Sequence, residues 1–314
     1  MDTMQRLIAT LLKAAVKGES QLLPEGYDLE SAMTVIRKQG LASLAYEGAY
    51  ICGISGKEPV MQELFKLYYQ ILLHSERQMR KIREVCRAFE ENGIDYLPFK
   101  GCVLKTMYPR PELRPMGDAD ILIRAEQYAA IEPIMNGLGF ELKDVAESVL
   151  TWEHNALCLE LHRKLYGPAD RDLHDYYADI WNRAIRKDGC QYVFSAEDTF
   201  LHMFTHFVKH YRSGGIGCRH VLDLWVYRCK NPDLDEQFLE QELQKLHLQK
   251  FYHNTLDLLN VWFEDGVGNS VTELMTQWIF SGGAFGDARA EQVFKTLREM
   301  ENHPGKKRCG TPIL

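Results

Sequence analysis

The stretch that most constrains this chain runs from Ile94 to Arg124. An apolar run, Ile94-Asp-Tyr-Leu-Pro-Phe, ends at Lys100-Gly101. A short helical segment and a proline-rich loop follow, and a second run opens with Asp118-Ala-Asp120 and closes with Ile121-Leu-Ile123. Short apolar runs bounded by turn residues read as buried strands. Alternate residues on a strand share a face, so Asp118 and Asp120 point the same way, about 6.5 Å apart along the chain. Two carboxylates on one face repel each other unless a cation lies between them. Magnesium, a hard cation that takes oxygen ligands, answers that need.

The chain on either side reads differently. Residues 4–17, 28–39, 41–53 and about 58–92 carry helical spacing, with Asp28 as an N-cap, Gly40 as a stop and Gly93 as a left-handed cap. From residue 93 the pattern becomes mixed. Strands are expected at 94–99 and 118–124, another starts at Phe140, and a hairpin of 149–153 and 156–162 turns at Asn155. Helices are expected at 101–107 and 126–137. After Gly167 helices return. An acidic, aromatic segment at 171–184 precedes helices at 196–212, capped by Ser195 and broken by Gly214-Gly215, and near 218–229, 235–247, 249–263, 270–280 and 288–301. The expected fold class is α+β: a small mixed sheet core at 93–165, flanked by helical regions at 1–92 and 166–302, with a frayed tail at 303–314.

Charge narrows the partners. With 314 residues and a net charge of −7, the chain lacks the basic footprint that long nucleic acid demands, whereas a small nucleotide can be held by a local metal. The eight cysteines show no C-x-x-C spacing and read as thiols of a reducing cytosol. No leader pattern and no apolar run of about 18 residues is present, so a cytoplasmic protein without membrane attachment is expected.

A third acid completes the chemistry. Glu160 lies in Leu157-Cys-Leu-Glu-Leu-His162, where alternation puts Cys158, Glu160 and His162 on one face and the leucines on the other. An unpaired carboxylate there is costly to bury, so it seeks a partner. Lys100-Gly101 ends a strand and starts a helix, where free N–H groups and a close backbone favour phosphate oxygens. Arg114, four residues before Asp118, can reach phosphate or lock the aspartates. His162 reads as a structural histidine, and Asp223, near Arg219, as a buried ion-pair partner or a cap acceptor. His202, His206 and His210 share one helix face, a spacing that suits zinc or iron with His220 as a further ligand, although lining a cleft or pairing with acids is the commoner use of such histidines. The basic run from Arg77 to Arg87 reads as a solvated helix face, and Trp152, Trp181, Trp225, Trp262 and Trp278 as packing.

Lys100-Gly101, Arg114-x-x-x-Asp118-x-Asp120 and Glu160-x-His162 together resemble the nucleotidyltransferase superfamily, in particular its mostly uncharacterised bacterial branch. The resemblance extends loosely to Glu197-Asp198, Leu201-His202, His206, His210 and Val221-Leu-Asp223. It implies metal and catalytic roles for Asp118, Asp120 and Glu160, and nucleotide contact at Lys100, Gly101 and Arg114. It implies two magnesium ions, a nucleoside triphosphate as substrate, and transfer of the monophosphate to a hydroxyl of a small molecule or protein. Cys102 stands where that superfamily usually has a phosphate-binding serine. A catalytically silent protein of the same fold, such as a toxin–antitoxin partner, is the alternative.

Overall fold

In a computed structural model, residues 1–213 and 215–284 are described. The expected helix at 288–301, the tail at 303–314 and Gly214 of the expected break lie outside the described residues.

The N-terminal region is helical, as its spacing predicts. Helices α1 (Thr3–Lys17), α2 (Leu29–Lys38), α3 (Ala42–Ile51) and α4 (Pro59–Glu91) follow one another. Asp2 closes a capping box with Gln5, and Asp28 accepts the Ser31 N–H at 3.0 Å. Gly93 turns out of α4 at φ +66°.

The mixed region follows, as β1 (Tyr96–Phe99), α5 (Gly101–Leu104), β2 (Asp118–Ile123), α6 (Ile131–Gly137), β3 (Glu141–Val145), β4 (Val149–His154) and β5 (Leu157–His162). Then come α7 (Arg171–Tyr176), β6 (Ile185–Asp188), β7 (Gln191–Val193), α8 (Ala196–Ser213), α9 (Cys218–Lys230), α10 (Glu236–Lys245), α11 (Gln249–Phe263) and α12 (Ser270–Ser281). Strands β6 and β7 sit inside a region whose sequence announces only helices. They are short, half-exposed or exposed, and lack an apolar alternation, so no periodicity marks them.

The sheet has seven strands in the order β3-β4-β5-β2-β1-β7-β6. Its centre is mixed. β1 runs antiparallel to β2, while β2 and β5 run parallel with Asp118 opposite Cys158 and Asp120 opposite Glu160. β7 meets β1 at Tyr96, short of Pro98, which has no N–H to give.

The two faces of the sheet are covered by different layers. Ala119, Ile121 and Ile123 of β2 and Leu157, Leu159 and Leu161 of β5 pack against Ile82, Val85 and Phe89 of α4. The opposite face carries Leu97, Phe99 and Leu122 against Leu165, Tyr166, Tyr177 and Ile180. The acids of β2 and β5 alternate with the first set, so they emerge on this second face, toward α8 and α9. The N- and C-terminal helices share one core, which includes Leu7, Leu12, Leu44, Phe204, Leu222 and Phe263. Gln39, 1% exposed, stitches them together. Its amide nitrogen donates to Ile279 and Gly282 carbonyls, each at 2.9 Å, and its oxygen accepts the Cys218 N–H at 2.9 Å.

Candidate active site

Parallel pairing of β2 with β5 sets Glu160 directly beside Asp120, and neighbouring strands lie about 4.8 Å apart. His162, one pleat further along β5, closes the group. Its Nε2 lies 3.0 Å from Asp120 Oδ1 and 3.2 Å from Glu160 Oε2. Ligand atoms of Asp120, Glu160 and His162 all fall within 4.8 Å of one another. Asp118 borders the same cleft at the start of β2.

Lys100 meets this cluster from β1. Its Nζ donates to Asp120 Oδ1 at 2.6 Å. The residue holds φ +47° and ψ −121°, a conformation that side chains other than glycine rarely take and that costs of order 1–3 kcal/mol. Phe99, buried just before it, is held edge-on between the rings of His162 and His202, with centroids at 5.1 and 5.2 Å.

The electrostatics follow from this crowding. Burial pushes the Asp120 carboxyl up, but the Lys100 ammonium and the His162 hydrogen bond outweigh it and hold the group well below the usual range. Asp118 goes the other way, raised by burial and by the charges of Asp120 and Glu160. His162 is raised although burial opposes it, because both carboxylates favour its charged form. A buried acid with an unrelieved neighbour is the pattern that a cation resolves.

Gly101 is required by packing. A Cβ there would come within 2.6 Å of Met116 Sδ and 3.2 Å of an Arg114 guanidinium nitrogen. Cys102 turns into the sheet core and does not border the cleft, and burial pushes its thiol pKa up. No side-chain contact from this position to a phosphate in the cleft follows from such a placement.

Arg114 does not lock the aspartates. It forks onto Asp223 of α9, Nε to Oδ1 at 3.0 Å and Nη2 to Oδ2 at 2.9 Å, and both groups are buried. The Tyr108 hydroxyl adds a third bond to Asp223 at 2.7 Å. The chain between β1 and β2 is thereby tied to α9, as the reading of Asp223 as a buried ion-pair partner anticipates. Lys105, fully buried, supports the same loop. Its Nζ donates to the Arg114 carbonyl at 2.9 Å, and burial, with Arg114 and Arg219 nearby, pulls its pKa down to about 8. Nothing in the spacing of the sequence distinguishes Lys105 from a surface lysine.

Between the sheet and helices α8 and α9 lies a cleft of about 380 Å³. One wall carries Lys100, Asp118, Asp120, Glu160 and His162, and the facing wall carries His206, Lys209, His210, Arg219 and His220. The expected histidine row divides. His206 and His210 border the cleft, whereas His202 is buried against Phe99, Tyr166 and Tyr177. Among the described residues, the cluster with metal-binding spacing is Asp120, Glu160 and His162, and the α8 histidines do not form one.

A mixed α/β sheet that lifts a carboxylate cluster into a cleft roofed by helices is the build of a nucleotide-transfer enzyme. One comparison with known proteins, that with protein families, bears this out. The family described as "Uncharacterised nucleotidyltransferase" matches residues 25–264, and the chain belongs to that family and to the transferases it comprises. Among curated proteins none matches. A solution structure of the antibiotic-resistance factor ANT(2'')-Ia overlays at a TM-score of 0.43 with 14% identity, over 57% of this chain and 97% of that one. That likeness is too distant for a residue of one chain to stand for a residue of the other.

Proposed function

We propose that the protein transfers a nucleoside monophosphate from a nucleoside triphosphate to a hydroxyl of a small-molecule or protein acceptor. The observation that carries this is the register of β2 and β5, which sets Glu160 beside Asp120 on the face that Asp118 shares. The donor set fits a hard divalent cation: Asp120 and Glu160 offer oxygens within 4.8 Å of each other, and crowding raises Asp118 as long as no cation is near. Asp118, Asp120 and Glu160 would hold magnesium, which when bound stabilises charge on the attacking and leaving oxygens.

The remaining work falls to the chain itself. The acceptor oxygen bonds to the α-phosphorus, the bond to pyrophosphate breaks, and the hydroxyl proton passes to a carboxylate. Glu160, more exposed than Asp120, which is the carboxylate that Lys100 Nζ hydrogen-bonds, is suited to take it. Lys100 and Gly101 border the cleft where phosphate oxygens would lie. Arg114 acts through Asp223, fixing the α9 wall against the loop that leads into β2. Positioning and charge supply most of the rate.

The test is transfer itself. Purified protein with magnesium and each α-labelled nucleoside triphosphate is incubated with a cell extract, and labelled products are identified by mass spectrometry. Label should appear in a discrete product, and Asp120→Asn or Glu160→Gln should cut its formation by at least roughly 100-fold. Far-UV circular dichroism should stay unchanged. Wild-type protein that binds no nucleotide, or transfer that survives Asp118→Asn with Asp120→Asn, would refute the assignment. A product-free protein that co-purifies with another chain would instead favour a silent interaction partner.

A further inference from the structure

The wall facing the carboxylates has its own chemistry. His206 and His210 lie one turn apart on α8, with their Nε2 atoms 3.0 Å apart, so one ring donates to the other and the two do not both carry full charge. His220 of α9 sits with its ring centroid 6.4 Å from each of them, and its Nδ1 is buried with no hydrogen-bond partner. The three imidazoles do not reach the spacing of a metal site. The acid on this wall, Asp223, is already filled by Arg114 and Tyr108.

Every charge that acts on these rings has a partner or the same sign. Lys209 is tied to Asp170 at 2.8 Å, and Arg219 donates to the Pro115 carbonyl at 2.8 Å. Burial, then Lys100 and the neighbouring histidines, hold His206 well below the usual imidazole range. Burial, with Lys209 and Lys100 against Asp170, takes His210 down to about 4. Burial, with Arg219, His210 and Arg114 against Asp223, takes His220 down to about 3. The wall thus offers N–H groups and protonatable nitrogens, a cationic rim, and no open carboxylate.

We propose that the α8–α9 histidine wall is a phosphate subsite, which binds either the terminal phosphates of the nucleotide or a phosphate group on the acceptor. An oxyanion set among His206, His210 and His220 supplies the negative charge that each imidazolium lacks. Binding therefore draws protons from solvent onto the rings, and affinity rises as pH falls. The identity of the ligand rests on the nucleotide-transfer reading, whereas the anion site does not.

Titration calorimetry with inorganic pyrophosphate on the full chain, in EDTA, tests the subsite without magnesium. Two buffers of different ionisation enthalpy report the protons taken up. Pyrophosphate should bind with net proton uptake, and more tightly by roughly tenfold per pH unit for each proton gained between pH 7.5 and 6.5. His206→Asn with His210→Asn should weaken it at least tenfold, and His210→Gln, at a half-exposed position, provides a second variant if the pair folds poorly. Asp118→Asn with Asp120→Asn should not weaken it, so a failure of nucleotide transfer and a failure of this subsite are read separately. Displacement of pyrophosphate by a non-cleavable nucleoside triphosphate assigns the wall to the nucleotide tail, and simultaneous binding assigns it to the acceptor. No binding without metal, binding without proton uptake, or binding that survives loss of both histidines would overturn the proposal.

Discussion

At the scale of single residues, the buried pair of Arg114 and Asp223 is the sharpest structural commitment in the site. Two charges out of water are costly, and they persist because each fills the other's hydrogen bonds. Arg114→Ala takes the bidentate partner from buried Asp223, leaving it the Tyr108 hydrogen bond and the nearby charge of Arg219, and should cost about 3–5 kcal/mol in urea unfolding. Arg114→Met with Asp223→Leu removes both charges and should recover most of that loss. A single variant that costs less than about 1 kcal/mol would show the pair to be solvated in solution. The acids were legible in the sequence because a period of two fixes which side chains share a face. The partner of Arg114 was not, because Asp223 lies more than a hundred residues along the chain, and no local rule connects them.

At the scale of elements, two features show how backbone contact and pairing decide what periodicity leaves open. Helices α1 and α3 cross so closely that a Cβ on Gly48 would stand 2.0 Å from the Leu11 carbonyl oxygen. Gly48→Ala should force the pair apart and cost at least about 1–3 kcal/mol by thermal or urea unfolding. An unchanged midpoint would mean that the crossing is looser than the structure shows. The sequence places a glycine in an Ala-rich helix but does not say which backbone it meets. The edges of the sheet tell the same story. β6, Ile185-Arg-Lys-Asp188, is exposed throughout and charged, and so is β3, Glu141-Leu-Lys-Asp-Val145. Charged edges discourage pairing with other chains. They also erase the alternation by which strands are recognised, so the sequence leaves β6 unmarked and marks β3 only at its start, while β7, three residues long, is too short to show a period.

At the scale of the whole molecule, the two helical regions form one body across Gln39 and a common core, and the sheet is set against it with the cleft between. This arrangement buries histidines in neutral form, which makes stability depend on pH. His202, 2% exposed, has a pKa pulled down to about 3 by burial, with Lys100 nearby. Unfolded, a histidine takes up its proton near pH 6.5. Between those values the unfolded chain binds the extra proton, so the fold loses about 1.4 kcal/mol per pH unit for this group as pH falls. Urea midpoints measured from pH 7 to pH 5 should decline, and His202→Phe, which keeps the aromatic packing, should flatten the decline. An unaltered slope would place the acid sensitivity elsewhere.

By itself the sequence determined the helices with clear amphipathic spacing, the strands with apolar alternation, and the face on which Asp118, Asp120 and Glu160 emerge. Each of these follows from a repeat of 3.6 or 2 residues that the chain carries locally. Only the tertiary structure decided that β5 lies beside β2 in parallel register, that Lys100 and His162 converge on Asp120, and that α8 and α9 close the cleft with histidines. Those outcomes depend on which buried surfaces fit one another across long separations in the chain, and contacts of that kind leave no period to read.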